Sequence, residues 1–275
     1  KPFQNIDIHN VLPKTPPTIL FKKNEIKYGN EKLKEINLNI QDEYVCFHFR
    51  TPYFQYKKKI INEFKYQNRD VKNYNFFKAV NYLSERNIKS ILIGEQIKDI
   101  KINKNMIYYN NSFIKNDFLD IFLLSKCKYL IGNSSGMTLA PILFRKKIMY
   151  INVPHVHLLY QKDSVYNPFI LIKKFKSLKT GKYIHYSEVF EKKLSEIDFV
   201  MDLNKLGYDI EDNSEEEIFY SCKELEMSFE NKQDEYFDEK IHQNFNNMLN
   251  KFGIPKLKNS KISSYFLSKN IDLFN

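Results

Sequence analysis

Short apolar runs alternate along the chain with segments whose apolar residues recur at helical spacing. The apolar runs cover residues 44–49, 90–94, 106–109, 129–131, 147–153 and 169–172, and such runs are typical of buried parallel strands. Helical spacing is clearest in residues 76–83, with Asn73 as the expected N-cap, and in 118–125, with Asn116 or Asp117 as the N-cap. Strands alternating with helices predict an α/β fold, a Rossmann-like doubly wound parallel sheet.

The segments on either side of this pattern differ from it. Residues 1–40 contain Pro13, Pro16 and Pro17, which predicts a connector with a short helix near 31–36, or the end of an upstream domain. Residues 41–210 form the predicted sheet domain, in which 51–70 reads as a long loop over the strand ends. Residues 211–275 predict a helical extension that packs on the core. Its helix begins after Ser214, runs to about residue 251 with at most one break, and has a solvated acidic face; its apolar tail, 262–274, docks on the core.

Charge is distributed unevenly over the 275 residues. The net charge is +10, but residues 211–275 contain 8 Lys and 13 Asp or Glu, so the rest of the chain carries +15. A basic domain suits an anionic substrate or an anionic membrane surface. No helix-turn-helix, zinc-finger or RNA-binding signature occurs, so we do not expect a nucleic-acid partner. Three well-separated cysteines and the absence of a signal peptide favour a cytoplasmic protein, including one bound peripherally at the inner face of the membrane.

A stretch of small residues follows the predicted strand 129–131. Asn133, Ser134, Ser135 and Gly136 form a loop in which main-chain N–H groups can turn toward a ligand. Thr138 is the expected N-cap of the next helix, with Pro141 in its first turn. A strand, a small-residue loop and a helix N-terminus together are typical of a phosphate site. A plain turn that binds nothing remains the alternative.

Other candidate residues fall at the carboxyl ends of the predicted strands, where ligands bind doubly wound sheets. Arg50 is the main catalytic candidate, because a guanidinium can hold a diphosphate and stabilise it as a leaving group; a salt bridge to an acid such as Asp70 is the alternative. His48 lies on the same strand face and either orients the site or fills the core. Arg69 and Asp70 either supply a phosphate contact and a catalytic base or pair with each other. Gly94 and Glu95 follow the strand 90–94 and are candidate substrate contacts.

The sequence offers little for a metal or a separate cofactor. His155 and His157 lack a third ligand, and Asp-x-Asp does not occur. Walker and Gly-x-Gly-x-x-Gly motifs are also absent. We therefore expect metal-independent chemistry with no bound cofactor.

Several of these motifs resemble those of a known family of bacterial glycosyltransferases with a GT-B-like nucleotide-sugar-binding domain. They are Val45-Cys46-Phe47-His48-Phe49-Arg50, Asn68-Arg69-Asp70 with Tyr74, Ile91-Leu92-Ile93-Gly94, Asp117-Phe118-Leu119-Asp120-Ile121, Asn133-Ser134-Ser135-Gly136 and Ile262-Ser263-Ser264-Tyr265-Phe266-Leu267 with Asn270 and Leu273. The His-x-Arg of residues 48–50 is also similar to that of GT-B fucosyltransferases. That similarity implies that Arg50 contacts the donor diphosphate and assists its departure.

A second resemblance concerns the small-residue loop. Residues 131–136 followed by Ala140-Pro141 are similar to the corresponding loop of UDP-sugar 2-epimerases of GT-B fold, but Leu139 stands where those enzymes have a ribose-binding glutamate. The resemblances imply a glycosyltransferase that moves a sugar from a nucleotide-diphosphate sugar to a glycan or lipid-linked acceptor in surface polysaccharide assembly. A 2-epimerase and a non-catalytic sugar-nucleotide or glycan-binding module are the alternatives. A GT-B enzyme has two Rossmann-like halves, and these motifs cover the donor-binding half.

Overall fold

A seven-stranded sheet forms the centre of the protein in a computed structural model that describes residues 11–51, 66–95, 101–159, 168–257 and 260–275. The strands are β1 Tyr44–His48, β2 Lys89–Ile93, β3 Met106–Ile107, β4 Tyr129–Gly132, β5 Lys147–Val153, β6 Phe169–Ile172, β7 Lys174–Ser177, β8 Tyr208–Glu211 and β9 Lys261–Ile262. The sheet has the order β3-β2-β1-β4-β5-β6-β9, and every neighbouring pair is parallel. β7 and β8 form a separate antiparallel pair. The predicted doubly wound, Rossmann-like α/β fold is confirmed.

Helices cover both faces of this sheet. They are α1 Val11–Lys14, α2 Lys23–Lys34, α3 Phe77–Glu85, α4 Asp117–Lys126, α5 Leu139–Leu143, α6 Tyr186–Glu191, α7 Val200–Lys205, α8 Glu215–Phe229, α9 Glu239–Lys251 and α10 Ser264–Lys269. Alternate strand residues enter different cores: Val45 and Phe47 pack with α3 and α8, whereas Cys46 packs with α4 on the other face. Because both faces are buried, most strand positions of this sheet are apolar and do not alternate with polar ones.

The carboxyl ends of β1, β2 and β4 are level with one another. His48 is paired with Ile93 on one side and with Gly132 on the other. The residues that follow these three strands therefore emerge side by side at one edge of the sheet. A Cβ atom on Gly132 would lie 2.6 Å from the carbonyl oxygen of His48, so only glycine allows this close approach of β4 to β1.

Helix starts agree with the sequence pattern at α4 but not at α3. Asn116 caps α4, since its side chain accepts a 3.0 Å hydrogen bond from the N–H of Leu119. The expected cap Asn73 does not start a helix: α3 begins at Phe77, after Phe76, with no side-chain cap. The N–H of Asn73 instead donates to Asp212, 2.9 Å away. This distant carboxylate replaces the local cap that the sequence suggested.

The C-terminal part of the chain is built into the sheet. The helical pattern after Ser214 is broken once, between α8 and α9. β9 then pairs with β6, and the tail docks through Phe266 and Leu267, both fully buried. The expectation of a solvated acidic face holds only in part. Glu216 and Glu230 are exposed, but the buried side of α8 contains three glutamates that bind cations or N–H groups: Glu217, Glu224 and Glu226.

Some predictions fall outside the described residues. They concern the first ten residues of the connector and most of the predicted loop over the strand ends, at 52–65, with its tyrosines and lysines. Within the described residues, the connector helix is longer than expected and is α2. No described helix combines the length and the apolar character needed to cross a bilayer.

Candidate functional site

The strand order reverses between β1 and β4, and a cleft of about 420 Å³ opens at the carboxyl ends of the strands on this side. Such a reversal leaves a crevice at the sheet edge, because the connections on its two sides run to opposite faces. The described residues that line the cleft are His48, Phe49, Arg50, Thr51, Arg69, Gly94, Glu95, Lys115, Asp120, Ser135, Gly136 and Met137.

Two side chains, Asp70 and Gln67, fix the guanidinium of Arg50. Its guanidinium forms an ion pair with Asp70, and its Nη2 donates to Gln67 at 2.8 Å. Burial and the nearby charge of Arg69 lower the pKa of Arg50 to about 10, while Asp198 opposes that shift. The guanidinium therefore stays charged at neutral pH. A side chain fixed in this way presents a positive charge to the cleft at little further entropic cost.

The carboxylate of Asp70 has no exposed surface. One oxygen pairs with Arg50 and the other accepts from the N–H of Gln67 at 2.8 Å. Among the described residues it does not line the cleft. This geometry argues against the expected role of Asp70 as a catalytic base, and it favours the salt-bridge alternative. The pairing of Asp70 with Arg69 is not observed, because Arg69 Nε donates to Gln67 instead, at 2.9 Å.

Asn133 connects the two loops that carry the arginines. Its side-chain oxygen accepts from the N–H of Arg50 at 2.7 Å, and its amide nitrogen donates to the carbonyl of Arg69 at 2.5 Å. The side chain is fully buried and does not line the cleft. Asn133 therefore positions both arginines, in contrast to the direct substrate contact expected from the sequence.

A buried ion pair between Lys173 and Asp212 stabilises the loop that contains Asp70. Lys173, which follows β6, lies 2.6 Å from a carboxylate oxygen of Asp212, and both side chains are 1% exposed. Lys173 also donates to the carbonyl of Asp70 at 2.9 Å. Burial lowers the pKa of Lys173, and Asp212 opposes that shift. Sequence reasoning missed this pair, although a lysine directly after a fully apolar strand is an unusual position for a charge.

His48 lies in the wall of the cleft with 6% of its surface exposed. Neither ring nitrogen has a hydrogen bond of normal geometry to a described residue. Burial lowers its pKa to about 4, which the Ile93 carbonyl opposes and the charge of Arg50 reinforces. The imidazole is therefore neutral at pH 7. Gly94 makes room for it: with φ +94°, a Cβ atom there would lie 2.6 Å from Nδ1 of His48.

The small-residue loop faces the cleft through Ser135, Gly136 and Met137. Gly136–Thr138 is a 3-10 turn that leads into α5, a helix of only five residues. Thr138 occupies the predicted N-cap position, but its hydroxyl makes no cap bond and donates back to the carbonyl of Ser135 at 2.7 Å. Space is open beside Gly136, where a Cβ atom would meet nothing within 4 Å. A ligand can therefore approach the main chain at this point.

The cleft is also lined by an ion pair, Asp120 and Lys115, that the sequence analysis did not predict as part of the site. Asp120, in the first turn of α4, is 8% exposed and accepts a 2.9 Å bond from Nζ of Lys115. Burial raises the pKa of Asp120, and Lys115 opposes that shift. Glu95, a predicted substrate contact, lines the same cleft. The sequence does contain a signal for Asp120, because a carboxylate in a helix that is apolar on nearly every side is an unusual position for a charge.

The cleft thus gathers most, but not all, of the predicted site. His48, Arg50, Arg69, Gly94, Glu95, Ser135 and Gly136 line it. Tyr74 does not, since its ring packs edge-on against Phe49 at 5.9 Å. Ser134, Thr138, Asn133 and Asp70 also lie outside the lining. Among the described lining residues, three side chains are cationic and two are acidic, so this part of the lining has a net positive charge.

The two predicted loop histidines have partners elsewhere. His155 Nδ1 lies 2.8 Å from the carbonyl of Ser195, and His157 Nδ1 lies 3.1 Å from its hydroxyl. In the part of the chain that the structure describes, His, Cys, Asp and Glu side chains form no group of three that could hold a metal ion.

Comparison with known proteins gives no function for this chain, so the function is inferred from the site. No family model, no curated protein and no solved structure matches this chain.

Proposed function

We propose that the protein is a glycosyltransferase that takes its sugar from a nucleotide-diphosphate donor bound in this cleft. The observation that carries the proposal is the convergence of a fixed, charged Arg50 with the open main chain at Ser135–Gly136, at the point where the strand order reverses. A diphosphate is the ligand that uses both features, through bidentate guanidinium contacts and main-chain N–H groups.

The charge pattern of the cleft supports a donor of this kind. Arg50 and Arg69 share the acceptor oxygen of Gln67, so two guanidinium groups lie next to each other on one wall. Two adjacent cations repel each other, and a dianion placed between them removes that repulsion. The same cations stabilise the charge that develops on the diphosphate as the bond to the sugar breaks.

Other polar groups of the cleft suit the rest of the donor. His48, Asp120 and Ser135 each contribute a buried polar atom that has no hydrogen bond of normal geometry to a described residue. Such atoms are costly to leave unpaired, and the hydroxyl groups of a sugar or ribose supply suitable partners. UDP-sugar 2-epimerases have a ribose-binding glutamate at the position of Leu139, which here is 62% exposed and lies outside the lining. In this proposal Asp120 and Glu95 bind the ribose instead.

Binding of nucleotides by calorimetry tests the donor site. We expect nucleoside diphosphates and their sugar esters to bind more tightly than the nucleosides. Arg50→Lys should weaken diphosphate binding at least tenfold, because an ammonium cannot form the bidentate contact. Arg86→Lys is the matched control, since Arg86 pairs with Glu230 outside the cleft.

Two results would overturn the proposal. The first is equal affinity for nucleosides and nucleoside diphosphates, and the second is unchanged diphosphate affinity in the Arg50→Lys variant. Incubation of a bound donor without an acceptor then separates the alternatives. Rapid conversion of the donor to its 2-epimer would identify an epimerase, whereas a transferase requires a glycan or lipid-linked acceptor for turnover.

A further inference from the structure

Two segments that lie far apart in the sequence are basic and contain no acidic residue. Residues 11–24 and 133–150 together have six Lys or Arg and no Asp or Glu. A chain with 33 acidic residues in 275 would place about four among these 32 positions by composition alone. The two segments therefore stand out as a local excess of positive charge.

The fold brings these segments together. Arg145 donates from Nε to the carbonyl of Thr15 at 2.9 Å and from Nη2 to the Thr15 hydroxyl at 3.0 Å. The rings of Phe21 and Phe144 stack with their centroids 5.6 Å apart. The segment 11–21 is thus fixed against the end of α5, and the two basic segments form one surface.

This surface also exposes large apolar side chains. Leu20 is 83% exposed and Leu139 62%, and they are accompanied by Val11, Ile19 and Leu143, each 44–50% exposed. Leu139 and Leu143 are four residues apart on α5 and so point to the same side. We call these five side chains, with Lys14, Lys22, Lys23 and Lys146, the basic–apolar face. Arg145 is excluded because its guanidinium donates to Thr15 and to the carbonyls of Pro16, Ile142 and Leu143. Lys147 is excluded because its ammonium lies over the ring of Phe229.

We propose that the basic–apolar face docks on an anionic lipid bilayer. Exposed leucine and isoleucine side chains among lysines are the combination that inserts into the headgroup region while the cations bind anionic lipids. A second copy of the chain is a poorer occupant, because a symmetric contact through this face would bring like charges together. The face adjoins the cleft, since Leu139 follows the lining residue Met137 by two positions.

Co-sedimentation with vesicles tests this surface independently of any enzymatic activity. We expect the protein to bind vesicles of phosphatidylcholine mixed with phosphatidylglycerol, to lose that binding at high salt, and not to bind phosphatidylcholine alone. Lys14→Gln with Lys23→Gln should weaken binding roughly 25-fold, at about fivefold per lysine. Leu20→Gln and Leu139→Gln should each weaken it about tenfold.

Exposed residues away from this face provide matched controls. Leu206 is 57% exposed and follows α7, and the neighbouring Lys205 is also exposed. Leu206→Gln and Lys205→Gln should leave binding within about twofold of the unsubstituted protein. The proposal fails if the protein binds neither vesicle, binds both equally, or loses as much affinity in the controls. It also fails if sedimentation shows a dimer that Leu20→Gln dissociates.

Discussion

Arg50 and Asp70 carry opposite charges that the fold removes almost completely from water. The side chain of Arg50 is 11% exposed and that of Asp70 is not exposed at all. A buried charge that loses its partner is expensive, because neither water nor another ion replaces the lost interaction. We expect Asp70→Asn to lower the free energy of unfolding by about 3 kcal/mol, measured by urea denaturation.

The matched control is Asp202→Asn, which removes one partner of the exposed pair Asp202–Lys205. This substitution should change the free energy of unfolding by less than about 0.5 kcal/mol. Equal stability of the two variants would contradict the role of Asp70 as the buried counter-ion. Diphosphate binding by Asp70→Asn should also weaken, because Arg50 would lose one of the two side-chain partners that fix its orientation.

His48 makes the stability of the protein depend on pH. Burial lowers its pKa from 6.5 to about 4, so between these values the unfolded chain binds a proton that the folded chain does not. The free energy of unfolding should therefore be highest above pH 6.5 and fall by about 3 kcal/mol as the pH drops to 4. Urea denaturation of the protein and of His48→Gln isolates this contribution as the difference between their pH profiles.

A direct measurement of the same group is the NMR titration of its ring protons. A pKa of His48 near 6.5 in the folded protein would contradict the pH prediction and would mean that water or a ligand reaches the imidazole. Binding of a diphosphate donor next to the ring should raise this pKa, because a nearby anion favours the imidazolium.

At the scale of elements, the sequence predicts those parts whose cause is local. The predicted bounds of β5 and β6 are confirmed, because buried parallel strands are apolar on both faces and leave a continuous apolar run in the sequence. The cap at Asn116 was also predictable, because its partner Leu119 is three residues away. The start of α3 was not predictable from the sequence, because the group that binds the N–H of Asn73 is Asp212, 139 residues later.

The same distinction applies to the candidate site. Arg50, Gly94 and Ser135 were found because strand ends are visible in the sequence and meet at one edge of a parallel sheet. The carboxylate of Asp120 comes from a helix, and the support from Lys173 and Asp212 crosses between elements, so no spacing rule indicates them. The burial of glutamates on α8 could not be predicted for a related reason. Glu224 is buried because Ser264 and Lys261, which belong to the C-terminal tail, bind its carboxylate.

At the scale of the whole molecule, the C-terminal segment 211–275 shares a hydrophobic core and a strand pairing with the sheet. Ile218, Cys222 and Leu225 of α8 are buried in the same core as β1 and β4, and β9 completes the sheet beside β6. A chain that ends at residue 213 would expose this core and leave β6 as an unprotected edge. We therefore expect the shortened chain to show no cooperative thermal unfolding by circular dichroism, in contrast to the full chain.

The full-length protein provides a second test that does not depend on a fragment staying in solution. Leu225→Ala should lower the free energy of unfolding by about 3 kcal/mol, because the fully enclosed site leaves a cavity. If the molecule is one unit, fluorescence of its tyrosines and circular dichroism should shift together to a single lower transition. Two separate transitions, of which only one moves, would show instead that residues 41–210 fold independently of the C-terminal helices.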